Sequence, residues 1–305
     1  MEKSEIKSFQ ENGFLIVENS IDSTILNKAR DSYNQLYLKA KKGKYPYVRV
    51  YDDYSNKPNL AGIEMVFNPE IIDQNIINLL NQSKILDYAK KILGNDIKLT
   101  LSRYHLTENI SHVGIWHRDN LINKELNSIQ INFYLFDEQG IEIVPQSHLN
   151  ELVYDETKKI EKTPYTSLKN SHLIKTKKNQ MLIFNPAILH RGISAYKRAN
   201  LHFRFEKKNN EKKDYCTLNY NEKCSFFKNI HFSEDWKKVI FSDDTVISPK
   251  DVKKYVHPKN FKNKILRIIR TFIYNTIFFL PLDFWIYRKF NVRPNLKLRK
   301  IFNIS

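Results

Sequence analysis

The stretch Ser128-Ile129-Gln130-Ile131-Asn132-Phe133-Tyr134-Leu135-Phe136, residues 128–136, alternates apolar and polar side chains. A period of two is that of a β-strand: Ile129, Ile131, Phe133 and Leu135 share one face, and Gln130, Asn132 and Tyr134 share the other. Outward from it the same pattern recurs. Lys98 to Tyr104 reads as a strand beginning near Ile97, Ile141 to Val144 as one ending at Pro145, and Met181 to Phe184 as another. Asn200 to Glu206 sets Leu201, Phe203 and Phe205 against His202 and Arg204. Asp137 to Gly140 reads as a turn.

Before residue 97 the period is helical, apart from an early strand, Phe14 to Val17, after Gly13. Helices are predicted over 4–11, 23–40, 71–80 and 85–93. The second has Ile25, Leu26, Ala29, Tyr33 and Leu36 on one side, with Ser20 or Asp22 as its cap. The fourth stops at Gly94-Asn95. Residues 41–60 and 149–172 read as polar loops. Helices first and many short strands after give an α+β, mainly β, architecture: two antiparallel sheets in a roll, with a helical layer on one side.

Trp116-His117-Arg118-Asp119-Asn120 lies at the rim of this strand region. His117 and Asp119, two apart on a strand end, point to the same side. With His190 they make two imidazoles and one carboxylate, the set that holds iron(II) on one octahedral face and leaves the other open. A His-x-Asp alone is a weak signal, since a surface histidine followed by a turn aspartate reads identically.

The 305 residues suffice for one large domain with an extension, and 19 Phe and 17 Tyr can fill its core. Cys216 and Cys224 have neither zinc-knuckle nor redox-motif spacing. The first residues lack the apolar run of a secretory signal, so a cytoplasmic setting is expected. The net charge of +17 is concentrated at the end: residues 257–305 carry eleven Lys or Arg and one acid, Asp283. Within that tail, Arg270 and Asp283 bracket an uncharged run too short to span a bilayer. Trp285 and Tyr287 suit a membrane surface. The segment reads as a basic amphipathic helix broken at Pro281, lying on an anionic membrane; the alternative is a helical appendage packed on the core or on a partner chain. Its apolar content argues against nucleic acid as a partner.

Residues 5–206 resemble the phytanoyl-CoA dioxygenase family of Fe(II)/2-oxoglutarate-dependent oxygenases. The motifs are FQENGFLIVENSID (9–22), ILDYAKKILGND (85–96), WHRDN (116–120), EQGIEIVPQSHL (138–149) and LIFNPAILHRGISAYKRANLHF (182–203). Gln146 stands where the family usually has Gly, which should alter that turn. The step from His190 to Arg198 is also short for the family.

The resemblance implies a double-stranded β-helix, or jelly roll, of cupin type over 1–206, a linker or accessory segment over 207–256 and the basic extension over 257–305. It implies Fe(II) on His117, Asp119 and His190, with 2-oxoglutarate and O2 as co-substrates, and hydroxylation of an unactivated C–H with release of succinate and CO2. Arg198 would take the far carboxylate of 2-oxoglutarate, with Arg204 and Arg191 as rivals. Tyr104 and Asn132 would hydrogen-bond the co-substrate and Phe133 would wall it; plain core packing is the alternative for all three. Ser147 and His148 read as turn residues, and Trp116 as either mouth lining or core. The substrate expected is a lipid, glycolipid or small metabolite. Competing readings are a non-catalytic, membrane-associated binding protein on the same fold, and a cupin-like metal hydrolase, which would leave Arg198 unexplained.

Overall fold

The computed structural model describes residues 3–19, 21–41, 48–50, 63–66, 74–107, 112–113, 116–120, 122, 125–150, 160, 166–194, 198–209 and 231–240. The tail from 257, and most of the loops read at 41–60 and 149–172, lie outside them.

The chain opens with α1 (Lys3–Asn12), β1 (Phe14–Glu18) and α2 (Ser23–Lys41). Asp22 caps α2: its carboxylate accepts from the backbone N–H groups of Thr24 at 2.8 Å and Ile25 at 3.3 Å. Those donors stabilise the anion and lower its pKa. Two short strands follow, β2 (Val48–Val50) and β3 (Ile63–Val66), then α3 (Gln74–Gln82) and α4 (Ile85–Leu93). Gly94, at a φ of 94°, ends α4 with its N–H on the Lys90 carbonyl.

The strand region is β4 (Ile97–Thr107), β5 (His112–Val113), β6 (Ser128–Tyr134), β7 (Glu138–Val144), β8 (His172–Thr176), β9 (Gln180–Phe184), β10 (Leu189–Ser194) and β11 (Arg198–Lys207). It is followed by α5 (Glu234–Ile240). The strands form a seven-stranded sheet, β1-β9-β6-β11-β4-β3-β2, and a four-stranded sheet, β5-β10-β7-β8, with every pair antiparallel. From β4 to β11 the chain crosses back and forth between the two sheets, except that the consecutive strands β7 and β8 pair within the small one, and the result is the double-stranded β-helix expected from the sequence.

Several elements depart from the sequence expectation: β2 falls in the stretch 41–60 read as loop, and β3 and β5 carry no sequence expectation. Residues 138–140, read as part of a turn, already belong to β7, with a register irregularity between Gln139 and Ile141. β8 carries no sequence expectation beyond its first residue, His172, the end of the stretch 149–172 read as loop; its burial alternates, with only Ile174 and Thr176 covered. α5 falls in the stretch read as a linker or accessory segment; Trp236 is buried against Phe203 and Phe205 and donates its indole N–H to the Leu80 carbonyl at 3.0 Å.

The helices cover one face of the large sheet. Ile129, Ile131, Phe133, Leu201, Phe203 and Phe205 form one core with Phe9, Tyr33, Ile77, Leu86 and Trp236. A second core, of Tyr134, Leu182 and Phe184 against Ile141, Ile143 and Ile174, joins the two sheets. Among the described residues no helix is long and apolar enough to cross a membrane.

Candidate metal centre

His117 and His190 face each other across an isolated antiparallel bridge. His117 N–H donates to the His190 carbonyl at 2.9 Å, and His190 N–H returns the bond at 3.0 Å. Directly paired residues put their side chains on the same side, and the ring centroids lie 4.4 Å apart. Asp119 arrives beside them because its N–H and that of Asn120 both donate to the Pro186 carbonyl, at 2.9 and 3.1 Å. Arg118 completes the clasp, its guanidinium donating to the carbonyls of Ser147, Ala187 and Asn150.

One ligand-capable atom from each of His117, Asp119 and His190 lies within 4.8 Å of the others. His117 Nε2 is 3.8 Å from Asp119 Oδ1, and His190 Nε2 is 3.8 Å from Asp119 Oδ2. His190 Nδ1 sits 3.0 Å from the Ile188 carbonyl. A carbonyl only accepts, so Nδ1 carries the proton and Nε2 presents its lone pair to the cluster. Burial, reinforced by His117 nearby, pushes the His190 imidazole down to about 4, against the pull of Asp119. It is therefore neutral at neutral pH, the state in which an imidazole ligates. The donor set and its protonation fit a divalent transition metal with an open side.

The other predicted residues separate into two groups. Asn132 lies on the barrel-facing side of β6, 1% exposed, with neither Oδ1 nor Nδ2 hydrogen-bonded. Phe133, its neighbour, points the opposite way into the core beneath the helices, so it cannot wall a co-substrate pocket between the sheets. Strand parity permits only one of the two to face the centre. Trp116 is wholly buried in a small core with Val144, Ile160, Leu168 and Leu189, and donates to the Thr166 carbonyl at 2.8 Å; it packs rather than lines a mouth. Arg191 is committed elsewhere: its Nε and Nη2 hold Glu142 Oε2 at 2.7 and 2.6 Å, and its guanidinium lies 4.8 Å from the Trp116 ring centroid.

Arg204 Nη2 sits 2.8 Å from Asp119 Oδ2, inside the cluster. Arg198 begins β11 opposite Thr107, with the same strand parity as Arg204, and Tyr104 on β4 pairs with Leu201; both side chains lie outside the described residues.

Ser147 accepts the Leu189 N–H at 2.8 Å and donates to the Val144 carbonyl, and His148 Nε2 meets the Gln10 carbonyl at 3.0 Å, so both serve the turn. Gln146 takes the left-handed φ of 63° that glycine favours. Gly13 is required for a different reason. Its φ is 80°, and a Cβ there would fall 2.3 Å from His148 Nδ1.

Sequence reasoning passed over His202 and Gln130, which share the buried barrel-facing side with Asn132 and Arg204. It also missed Glu138, which accepts from Ala199 N and Asn200 Nδ2, both at 2.8 Å. The polar half of the alternation in 128–136 and 200–206 was the available signal.

No protein-family model matches the chain, and no curated protein matches it. Solved structures do. AviO1 from Streptomyces viridochromogenes Tue57 superposes with a TM-score of 0.54 at 15% identity, covering 69% of this chain and 97% of that one. EctD from S. alaskensis, solved with 2-oxoglutarate and 5-hydroxyectoine, gives 0.52 at 15%, covering 68% and 76%. HygX from Streptomyces hygroscopicus, with nickel, 2-oxoglutarate and hygromycin B bound, gives 0.52 at 13%, covering 68% and 88%. At these identities the likeness shows the fold, the jelly roll that the motifs implied.

Proposed function

We propose that this protein is an Fe(II)- and 2-oxoglutarate-dependent oxygenase. The observation that carries the reading is the convergence of His117, Asp119 and His190 to within 4.8 Å on a jelly roll whose distal imidazole is held neutral. The likeness to EctD and HygX, which bind 2-oxoglutarate with their ligands, supports the same reading. The three side chains would hold the metal. When bound, the iron supplies O2 activation: 2-oxoglutarate gives up two electrons and leaves as succinate and CO2, and one oxygen atom enters a C–H bond of the substrate.

The chain's own residues do the rest. Asn132, buried with an unused donor and acceptor, would meet the keto-acid end or backbone of 2-oxoglutarate, since an amide left dry and unpaired costs about 1–3 kcal/mol. Arg198 would anchor the far carboxylate through a bidentate pair, with Tyr104 a further hydrogen-bonding partner. The substrate proposed is a small metabolite or a lipid-linked molecule. The basic tail over 257–305 would bring the enzyme to an anionic membrane; liposome flotation of the full chain against one ended near 257 tests that part, and equal partitioning removes it.

Succinate release is the test of the oxygenase itself. The full chain with Fe(II), 2-oxoglutarate and O2 should form succinate, and His117→Ala should not. Binding of 2-oxoglutarate without any succinate, across a metabolite and lipid extract, would favour the non-catalytic binding protein instead.

A further inference from the structure

Arg204, on β11, lies beside the carboxylate of Asp119. Arg204 is 8% exposed at its side chain, and its Nη2 contacts both Asp119 Oδ2, at 2.8 Å, and Gln130 Oε1, at 3.1 Å. Gln130 is the residue directly across from Arg204 in the β6–β11 ladder. The amide therefore fixes the guanidinium from one side while the guanidinium fixes Asp119 from the other. A cation with that little access to water needs an anion at hand, and Asp119 supplies it.

The consequence is in the coordination count. An octahedral ion has six positions. Two imidazoles and one carboxylate oxygen fill three, and a chelating keto acid plus an oxidant need the other three. Should Asp119 ligate through both oxygens, one of those positions is lost. The two oxygens are equally near the imidazoles, 3.8 Å from His117 Nε2 for Oδ1 and 3.8 Å from His190 Nε2 for Oδ2, so the imidazoles alone do not choose between one-oxygen and two-oxygen ligation. Arg204 breaks the tie by engaging Oδ2.

Resting on the oxygenase reading above, we propose that Arg204 is a positioning residue that holds Asp119 as a one-oxygen ligand and keeps the third open position available. It follows that Arg204 is not the anchor for the far carboxylate of 2-oxoglutarate.

The test uses the full chain, with Mn(II) affinity followed by electron paramagnetic resonance and the visible charge-transfer band of anaerobic Fe(II) with 2-oxoglutarate. Arg204→Met should weaken Mn(II) binding by about 10- to 100-fold, the range for losing a partner of a ligand, and should shift or abolish the band. Arg204→Lys, which keeps the charge but not the fork, should restore part of both. It gives the same readout if the Met variant does not fold. Wild-type Mn(II) affinity and an unchanged band in both variants overturn the proposal. If wild type itself binds no Mn(II), or Asp119→Ala binds it equally well, the oxygenase reading fails first and takes this inference with it.

Discussion

The helix-facing and barrel-facing sides of β6 and β11 are made from alternate residues of the same two segments. On the helix side stand Ile129, Ile131 and Phe133, with Leu201, Phe203 and Phe205, in an unbroken apolar layer. On the barrel side stand Gln130 and Asn132, with Asn200, His202 and Arg204, all buried and all polar. Burial is equal on the two sides, so burial alone does not separate scaffold from chemistry; what separates them is whether the polar atoms are mutually satisfied. Apolar side chains gain by leaving water, at about 25 cal/mol per Å². An amide such as Asn132, left without a partner, does not, which is what supports the proposed contact with a ligand.

The sharpest way to break this division is to cut each side in turn. Phe203→Ala on the helix side should cost about 3–5 kcal/mol of unfolding free energy through the cavity it leaves beside Phe205 and Trp236. Metal affinity of the folded fraction should stay as in wild type, and denaturant titration with and without Mn(II) measures both. A comparable loss, about 3–5 kcal/mol, is expected from Glu142→Gln on the outside of the small sheet, because it strands the buried Arg191 cation. Should Phe203→Ala abolish metal binding at full stability, the two sides are not independent.

Asn132→Leu reverses the pattern. Removing an unpartnered buried amide for an apolar group of similar shape should leave stability unchanged or raise it by about 1 kcal/mol, while affinity for 2-oxoglutarate in the Mn(II)-loaded protein falls about 10-fold, one good hydrogen bond. Calorimetry reads both, and a drop in stability would return Asn132 to the scaffold.

The next contrast is in pH. Burial holds the His148 imidazole below the usual 6.5. Between its folded value and 6.5 the unfolded chain therefore carries more protons than the folded one. Stability is full above pH 6.5 and falls as the pH drops toward the folded value. Urea midpoints at pH about 7.5 and about 5.5 should differ less in His148→Gln than in wild type. Last, Gln146→Gly relieves a left-handed backbone and should gain at most about 1 kcal/mol.

Much of this was legible beforehand because two signals are local. Alternation in 128–136 and 200–206 announced the strands and both of their faces, and the His-x-Asp spacing with His190 announced the centre. β5 and β8 escaped because two residues, or five with partial alternation, carry too little pattern. α5 escaped because its fit depends on Trp236 meeting Phe203 and Phe205, a contact no spacing encodes. Strand parity sends Asn132 and Phe133 to opposite faces, so of the two only Asn132 can face the centre. The contact of Arg204 with Asp119 was not legible, since nothing local in the sequence links residue 204 to residue 119.

The reciprocal backbone pair between His117 and His190 has a bearing on how the proposed ion would be acquired. Neither strand end can present its imidazole to the other until the four-stranded sheet has closed in correct register, and a slip of one residue would turn one ring outward. A nascent or misfolded chain would thus offer only the local His117–Asp119 pair, without the second imidazole. On the oxygenase reading, loading would be deferred to the finished molecule, and metal retention would double as a check on assembly.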